Sequence, residues 1–186
     1  MRRAATVDRR MFVLGALALA LTTAHAQLKP GEPAPVFTLE AALGGREFRF
    51  DLSQTLAKGP VVLYFYPKAF TAGCTYEAQL FAQASERFAA LGATVIGVSS
   101  DDIDTLKRFS VEACRDRFAV GADPDGRIIR AYKAQIASRP DMADRISYVI
   151  SPEGRIIHVH HHANPEGHVD GTLEAVERWM ARQQRR

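Results

Sequence analysis

The chain has 186 residues, 47% hydrophobic and 24% charged, with 24 basic against 21 acidic side chains and a formal charge of +3. Four of the basic residues but only one acidic residue, Asp8, fall in the first 26 positions. The remainder is therefore balanced in charge, one domain in size and long enough to bury a sizeable core. No basic stripe interleaved with aromatics occurs, which argues against a nucleic-acid partner; Arg182, Arg185 and Arg186 read as solvated charges at a helix end.

Arg2, Arg3, Arg9 and Arg10 precede a short apolar run from Met11 to Leu21, and Ala24-His25-Ala26 offers the small residues a signal peptidase reads. The pattern predicts a secretory signal peptide over residues 1–26, cleaved after Ala26, with a periplasmic product no longer held at the membrane. An uncleaved anchor is the alternative, disfavoured because Thr22 and Thr23 end the apolar run early. Arg9, Arg10 and Phe12 also resemble a twin-arginine signal, although Asp8 and Leu14 stand where Ser and Lys are usual. An ordinary secretory start fits as well.

Residues 27–186 are expected to form a single domain without internal repeats. Val36, Phe37 and Leu39 mark a short strand, and Phe48 and Phe50 alternate with charges as in a half-exposed strand. Gly59-Pro60 breaks the chain before "VVLYFYP", whose two apolar faces suit a central strand that Pro67 must end. From Thr75, the residues Ala78, Phe81, Ala82, Phe88 and Leu91 recur at helical spacing until Gly92. "ATVIGVSS" reads as a second buried strand, and "DDIDTLKRFSVEACRDRF" as a helix opened by capping aspartates. A turn and short helix follow in "DPDGRIIRAYKA", then two strands around Pro152-Glu153-Gly154-Arg155. Val169, Leu173, Val176 and Met180 share one face of a closing helix. This alternation argues an α/β domain with a central mixed sheet flanked by helices.

The cysteines, Cys74 and Cys114, pose the functional question. Export would let them form a permanent bridge, which in the chain-entropy picture stabilises by roughly 4 kcal/mol. Cys74 is alternatively a small core hydrophobe, or a reagent. The thiolate is the nucleophile, and Cys74 falls in the first turn of a helix, where unpaired N–H groups and the positive end of the dipole favour a negative sulfur. Thr71 lies within reach, and Pro67 turns the strand end over the site.

Pro67-x-x-x-Thr71-x-x-Cys74 between a buried strand and a helix resembles the active-site pattern of the peroxiredoxins. "VIGVSSDD", "ADPDG" and "RISYVISPEGRI" extend the resemblance over nearly the whole chain after the signal, nearest to the class named for the bacterioferritin comigratory protein, also called PrxQ. The resemblance implies a thioredoxin-like fold and a thiol-dependent peroxidase acting on hydrogen peroxide or organic hydroperoxides. It implies Cys74 as the peroxidatic cysteine, Thr71 as the hydroxyl holding the peroxide, Pro67 as the shield and Arg145 as the guanidinium reaching the sulfur. Such donors stabilise charge developing on the leaving oxygen. Glu77 either braces Arg145 or Thr71, or is a solvated helix residue. No cofactor is implied; the partners are a peroxide and a reducing thiol, protein or small, for a monomer or weak dimer.

The chain departs from the class at two positions. Gln79 stands where many members carry a resolving cysteine, and Ala72 where proline is common. Cys114, expected on the helix from Asp102, is then the candidate resolving residue, with a core thiol as the alternative. A one-cysteine enzyme reduced by an outside thiol is the rival. His158, His160, His161, His162 and His168 lie close together, and three of them alternate, so a periplasmic metal-binding domain is a third reading. A disulfide reductase would want a C-x-x-C pair, which is absent.

Overall fold

The computed structural model describes residues 27–185, and the expected signal peptide lies outside the described residues. Thr38–Leu43 (β1) and Arg46–Asp51 (β2) pair antiparallel across Gly44 and Gly45, both at positive φ. The first strand starts later than Val36, which is 71% exposed. Asp51 then caps a one-turn helix, Leu52–Leu56 (α1), by accepting the Gln54 N–H at 3.0 Å.

Val61–Phe65 (β3) is buried at every position, as its two-sided apolar pattern requires. The Tyr66 N–H still donates to the Val98 carbonyl at 3.2 Å, but Pro67 has no N–H to continue the ladder. The chain turns into Ala72–Ala90 (α2), returns as Thr94–Ser99 (β4), and enters Ile103–Glu112 (α3), where Asp102 accepts the Thr105 N–H at 2.7 Å. Ala119–Ala122 (β5) and Arg127–Ala131 (α4) follow, then a small hairpin, Gln135–Ile136 (β6) with Arg139–Ala143 (β7). Ile146–Ile150 (β8), Ile156–His161 (β9) and Glu166–Gln183 (α5) complete the order.

The main sheet has seven strands in the order β2-β1-β5-β4-β3-β8-β9. Its centre is parallel (β5, β4, β3) and its flanks antiparallel, which makes it the mixed sheet expected from the sequence. One face is covered by α2, α3 and α5 through Tyr64, Phe81, Phe88, Phe109, Leu173 and Val176; the other packs against α1 and α4 through Leu52, Phe65, Ile129 and Tyr132. The sequence reading lacked α1, β5 and the β6–β7 hairpin. β5 is Ala-Val-Gly-Ala, too short and small-sided to advertise itself. A Cβ at its Gly121 would stand 2.6 Å from the Leu39 side chain of β1, which would have to shift.

Candidate active site

β3 delivers the chain to the carboxyl edge of the parallel strands, and the turn after Pro67 sets the start of α2 there. Phe70 takes a left-handed backbone (φ 64), rare for a bulky side chain, and its ring is held edge-on to Phe109 of α3 at 5.2 Å beneath the Arg108 guanidinium. Asp101, after β4, accepts the Ala69 N–H at 2.7 Å and the Ser99 hydroxyl at 2.9 Å. These contacts tie the turn to β4 and α3. The helix begins at Ala72, three residues earlier than the apolar periodicity indicates.

Cys74 is the third residue of α2, where backbone N–H groups have no partner within the helix, and is 2% exposed. Arg145, the residue before β8, is 8% exposed and fans its guanidinium across the site. Nη2 donates to Cys74 Sγ at 3.5 Å, Nη1 to Glu77 Oε2, and Nε to the Ala163 carbonyl at 3.0 Å. Gly73 makes room for this approach, since a Cβ there would lie 3.1 Å from Nη2.

Of the sequence-predicted residues, Cys74 and Arg145 meet directly. Thr71 caps α2 by position, stays exposed at the mouth and donates its hydroxyl to the Lys68 carbonyl at 2.9 Å. Pro67 is half-buried at the strand end. Glu77 is no solvated helix residue: it is fully buried and braces Arg145 rather than Thr71. Burial pushes its carboxyl up to about 8, opposed by the Arg145 charge.

Cys114 corrects one expectation. It lies just beyond the end of α3, its N–H closing on the Phe109 carbonyl at 3.1 Å, because Arg115 and Asp116 turn left-handed (φ 52 and 58). It is fully buried, and burial, reinforced by Asp116, pushes its thiol up, toward the protonated form. Both thiols are free in this conformation, enclosed by one core that also holds Tyr64 and Tyr66, rings 5.5 Å apart.

The histidine run does not form the metal centre that its alternation suggested: among the described residues no group of three or more His, Cys, Asp or Glu side chains is placed to hold an ion. The imidazoles are spent on packing and pairing. His160 and His158 lie under Gly167 and Gly171 of α5, where a Cβ would come within 2.8 and 3.3 Å of their Nε2 atoms. His161 pairs with Asp144 at 2.8 Å. His168 is fully buried behind Glu77, a placement that the sequence reading missed because it follows only from α5 folding onto β9.

The sequence profile of the AhpC/TSA family matches residues 30–159. The chain is 32% identical over 157 residues to the chloroplastic peroxiredoxin Q of Populus jackii, covering 83% of this chain and 71% of that one. Among solved structures, peroxidoxin BcpB of Mycobacterium tuberculosis superposes with a TM-score of 0.71 at 28% identity, over 81% of this chain and 97% of that one. Xanthomonas campestris peroxiredoxin Q gives 0.66 at 27% identity, over 76% and 91%.

Proposed function

The chain belongs to the AhpC/TSA family and is a peroxiredoxin, a thiol-dependent peroxidase of thioredoxin-like fold, and we propose that Cys74 is the sulfur that it oxidises. The supporting observation is the Arg145 guanidinium donating to Cys74 Sγ at 3.5 Å at the start of α2. The Cys74 thiolate attacks one peroxide oxygen; the S–O bond forms as the O–O bond breaks, and the departing oxygen leaves as water or an alcohol after taking a proton. Arg145 and the first backbone N–H groups of α2 stabilise the charge on that oxygen, and Thr71 at the mouth supplies a hydroxyl to align the substrate. Pro67 limits water at the sulfur.

The sulfenic acid is then resolved by Cys114: its thiolate attacks the Cys74 sulfur, an S–S bond forms and water departs. An outside dithiol or thiol pair returns two electrons to complete the cycle. Because both sulfurs start buried, the first turn of α2 or the turn after α3 must open, and the left-handed pair Arg115-Asp116 favours the latter. The rival is direct reduction of Cys74 by an external thiol. Mass mapping without reduction, after one equivalent of hydrogen peroxide, decides between them. A Cys74–Cys114 peptide, absent from Cys74→Ser, supports the two-cysteine cycle; oxygen on Cys74 beside a free Cys114 supports the one-cysteine cycle; two untouched thiols overturn the Cys74 assignment.

The basic, apolar and small-residue order of residues 1–26 supports export and cleavage after Ala26, with the mature enzyme in the periplasm; a monomer or weak dimer is our working assembly state. The mass of protein recovered from the periplasmic fraction tests the cleavage, and size-exclusion tests the assembly state.

A further inference from the structure

Behind the guanidinium, Glu77 meets His168 and Ser147 in a buried polar group that peroxide reduction by Cys74 does not itself require. His168, in the first turn of α5, is fully enclosed. Its Nε2 lies 2.8 Å from the His162 carbonyl, its Nδ1 lies 2.8 Å from Ser147 Oγ of β8, and Nδ1 is also 3.8 Å from Glu77 Oε1 of α2. A carbonyl only accepts, so Nε2 carries hydrogen and donates. In the neutral ring Nδ1 is then an acceptor, taking the Ser147 hydroxyl proton. Glu77 Oε1 meanwhile has no hydrogen-bond partner, while Oε2 accepts from Arg145. The orphaned carboxyl oxygen therefore lies 3.8 Å from an imidazole nitrogen already engaged by Ser147, both of them closed to solvent. Two titratable groups this close and this deeply buried gain and lose protons as a unit.

We propose that Glu77 and His168 titrate as one pair that holds a single proton at neutral pH, on the carboxyl or on the ring, and that this proton sets how firmly Glu77 draws Arg145 away from Cys74. His168 is thus a positioning residue, acting through Glu77 and Arg145; the inference rests on the Cys74 reading above. With the proton present, either as a neutral carboxyl or as an imidazolium beside a carboxylate, the pair is uncharged overall and the guanidinium charge is left to the sulfur and the departing oxygen. With it gone, Glu77 bears a full charge against Arg145 alone. The groups facing His168 are Glu77 from α2, Arg145 and Ser147 from β8 and its start, and His160 and His161 from β9, with the His160 ring edge-on at 4.5 Å. All the cations among them oppose a second proton on the ring. Burial likewise pushes His168 down to about 4 while it lifts Glu77 to about 8, so one proton on the pair spans neutral pH.

The test is the stopped-flow rate of Cys74 oxidation by hydrogen peroxide from about pH 6 to about pH 9.5, in wild type and His168→Gln, with the 15N imidazole signals of the wild type titrated over the same range. The expected wild-type rate falls on the alkaline side as the pair loses its proton. In His168→Gln, whose amide keeps the bond to the His162 carbonyl, that limb shifts by about one pH unit or more, and the rate at neutrality drops roughly three- to tenfold. A folded His168→Gln with the wild-type limb and rate overturns the proposal. Should that variant not fold, the wild-type titration decides: a His168 Nδ1 signal that moves across the alkaline limb supports the paired titration, and one that stays silent there overturns it. Failure of Cys74 to react at all tells against the Cys74 assignment instead, and the titration still reads the proton.

Discussion

Cys74 and Cys114 are enclosed by the same apolar core, yet one faces a guanidinium at the start of a helix and the other lies past the end of one. At the first, Arg145 donates to the sulfur at 3.5 Å and the early α2 backbone turns unpaired N–H groups toward it. At the second, burial and Asp116 push the thiol up and hold it as a neutral packing group. Burial alone therefore says little about a cysteine; the charges and dipoles sealed in with it decide. Under the proposed roles the contrast also orders the chemistry: Cys74 would already face its guanidinium, whereas Cys114 would first have to leave its site.

The sharpest way to break the comparison is to remove each sulfur in turn. Cys74→Ser is expected to lower the peroxide rate by about four orders of magnitude or more. Cys114→Ser should leave the first oxidation of Cys74 unchanged, stop turnover that depends on a disulfide, and destabilise the fold by about 1–3 kcal/mol by placing a hydroxyl in an apolar site. Stopped-flow kinetics with peroxide and denaturant melts read these separately. A Cys114→Ser protein as slow as Cys74→Ser in its first oxidation would invert the assignment of roles.

Next in size is the guanidinium. Arg145→Gln should slow Cys74 oxidation about 100- to 1000-fold, the usual loss of a donor aimed at developing negative charge. It also leaves Glu77, fully buried, without the donor to its Oε2, so the melting temperature should drop as well. Gly73→Ala probes the same contact more gently. Its Cβ would stand 3.1 Å from Arg145 Nη2, forcing the guanidinium off the sulfur by a few tenths of an ångström. A fall of about three- to tenfold in rate with little change in stability is expected; a large loss of stability with an unchanged rate would show that Gly73 serves the backbone rather than Arg145.

The two cysteine environments were unequally legible in the sequence. The strand, Pro67, Thr71 and Cys74 lie within one short stretch, so local patterning and resemblance reach them together. Arg145 came only from the resemblance, since an arginine opening a strand carries no sign of whether it faces inward. Glu77 is ambiguous in the sequence for the same reason: helical spacing gives its face but not what folds over it. Cys114 reads as helical because "ACRDRF" contains no glycine to announce the left-handed turn that ends the helix. His168 lay outside reach altogether, its burial arising from α5 crossing β9 on two glycines. Local chemistry is written locally, and the second layer of a site is written in the packing.

The smallest expected effect is on stability against pH, and it concerns the polar side of the contrast. Glu77 is raised from 4.5 to about 8 by burial, so between those values the folded chain holds a proton that the unfolded chain has lost, and stability falls as pH rises. His168 is lowered from 6.5 to about 4, so between those values the unfolded chain holds the extra proton, and stability falls as pH drops. His158 and His160 are lowered in the same direction by burial under α5 and add to that acid loss. Where the windows of Glu77 and His168 overlap they oppose each other; above 6.5 only Glu77 acts, until its folded value near 8. Across that last interval the fold should lose about 2 kcal/mol, a melting temperature lower by several degrees. Glu77→Gln should flatten this limb and leave the acid one. His168→Gln should soften the acid limb, while Cys114→Ser should change neither, because the Cys114 thiol stays protonated across the whole range. A wild-type melting temperature that is level from 6.5 to 8 would mean that the buried carboxylate is already ionised and fully met by Arg145.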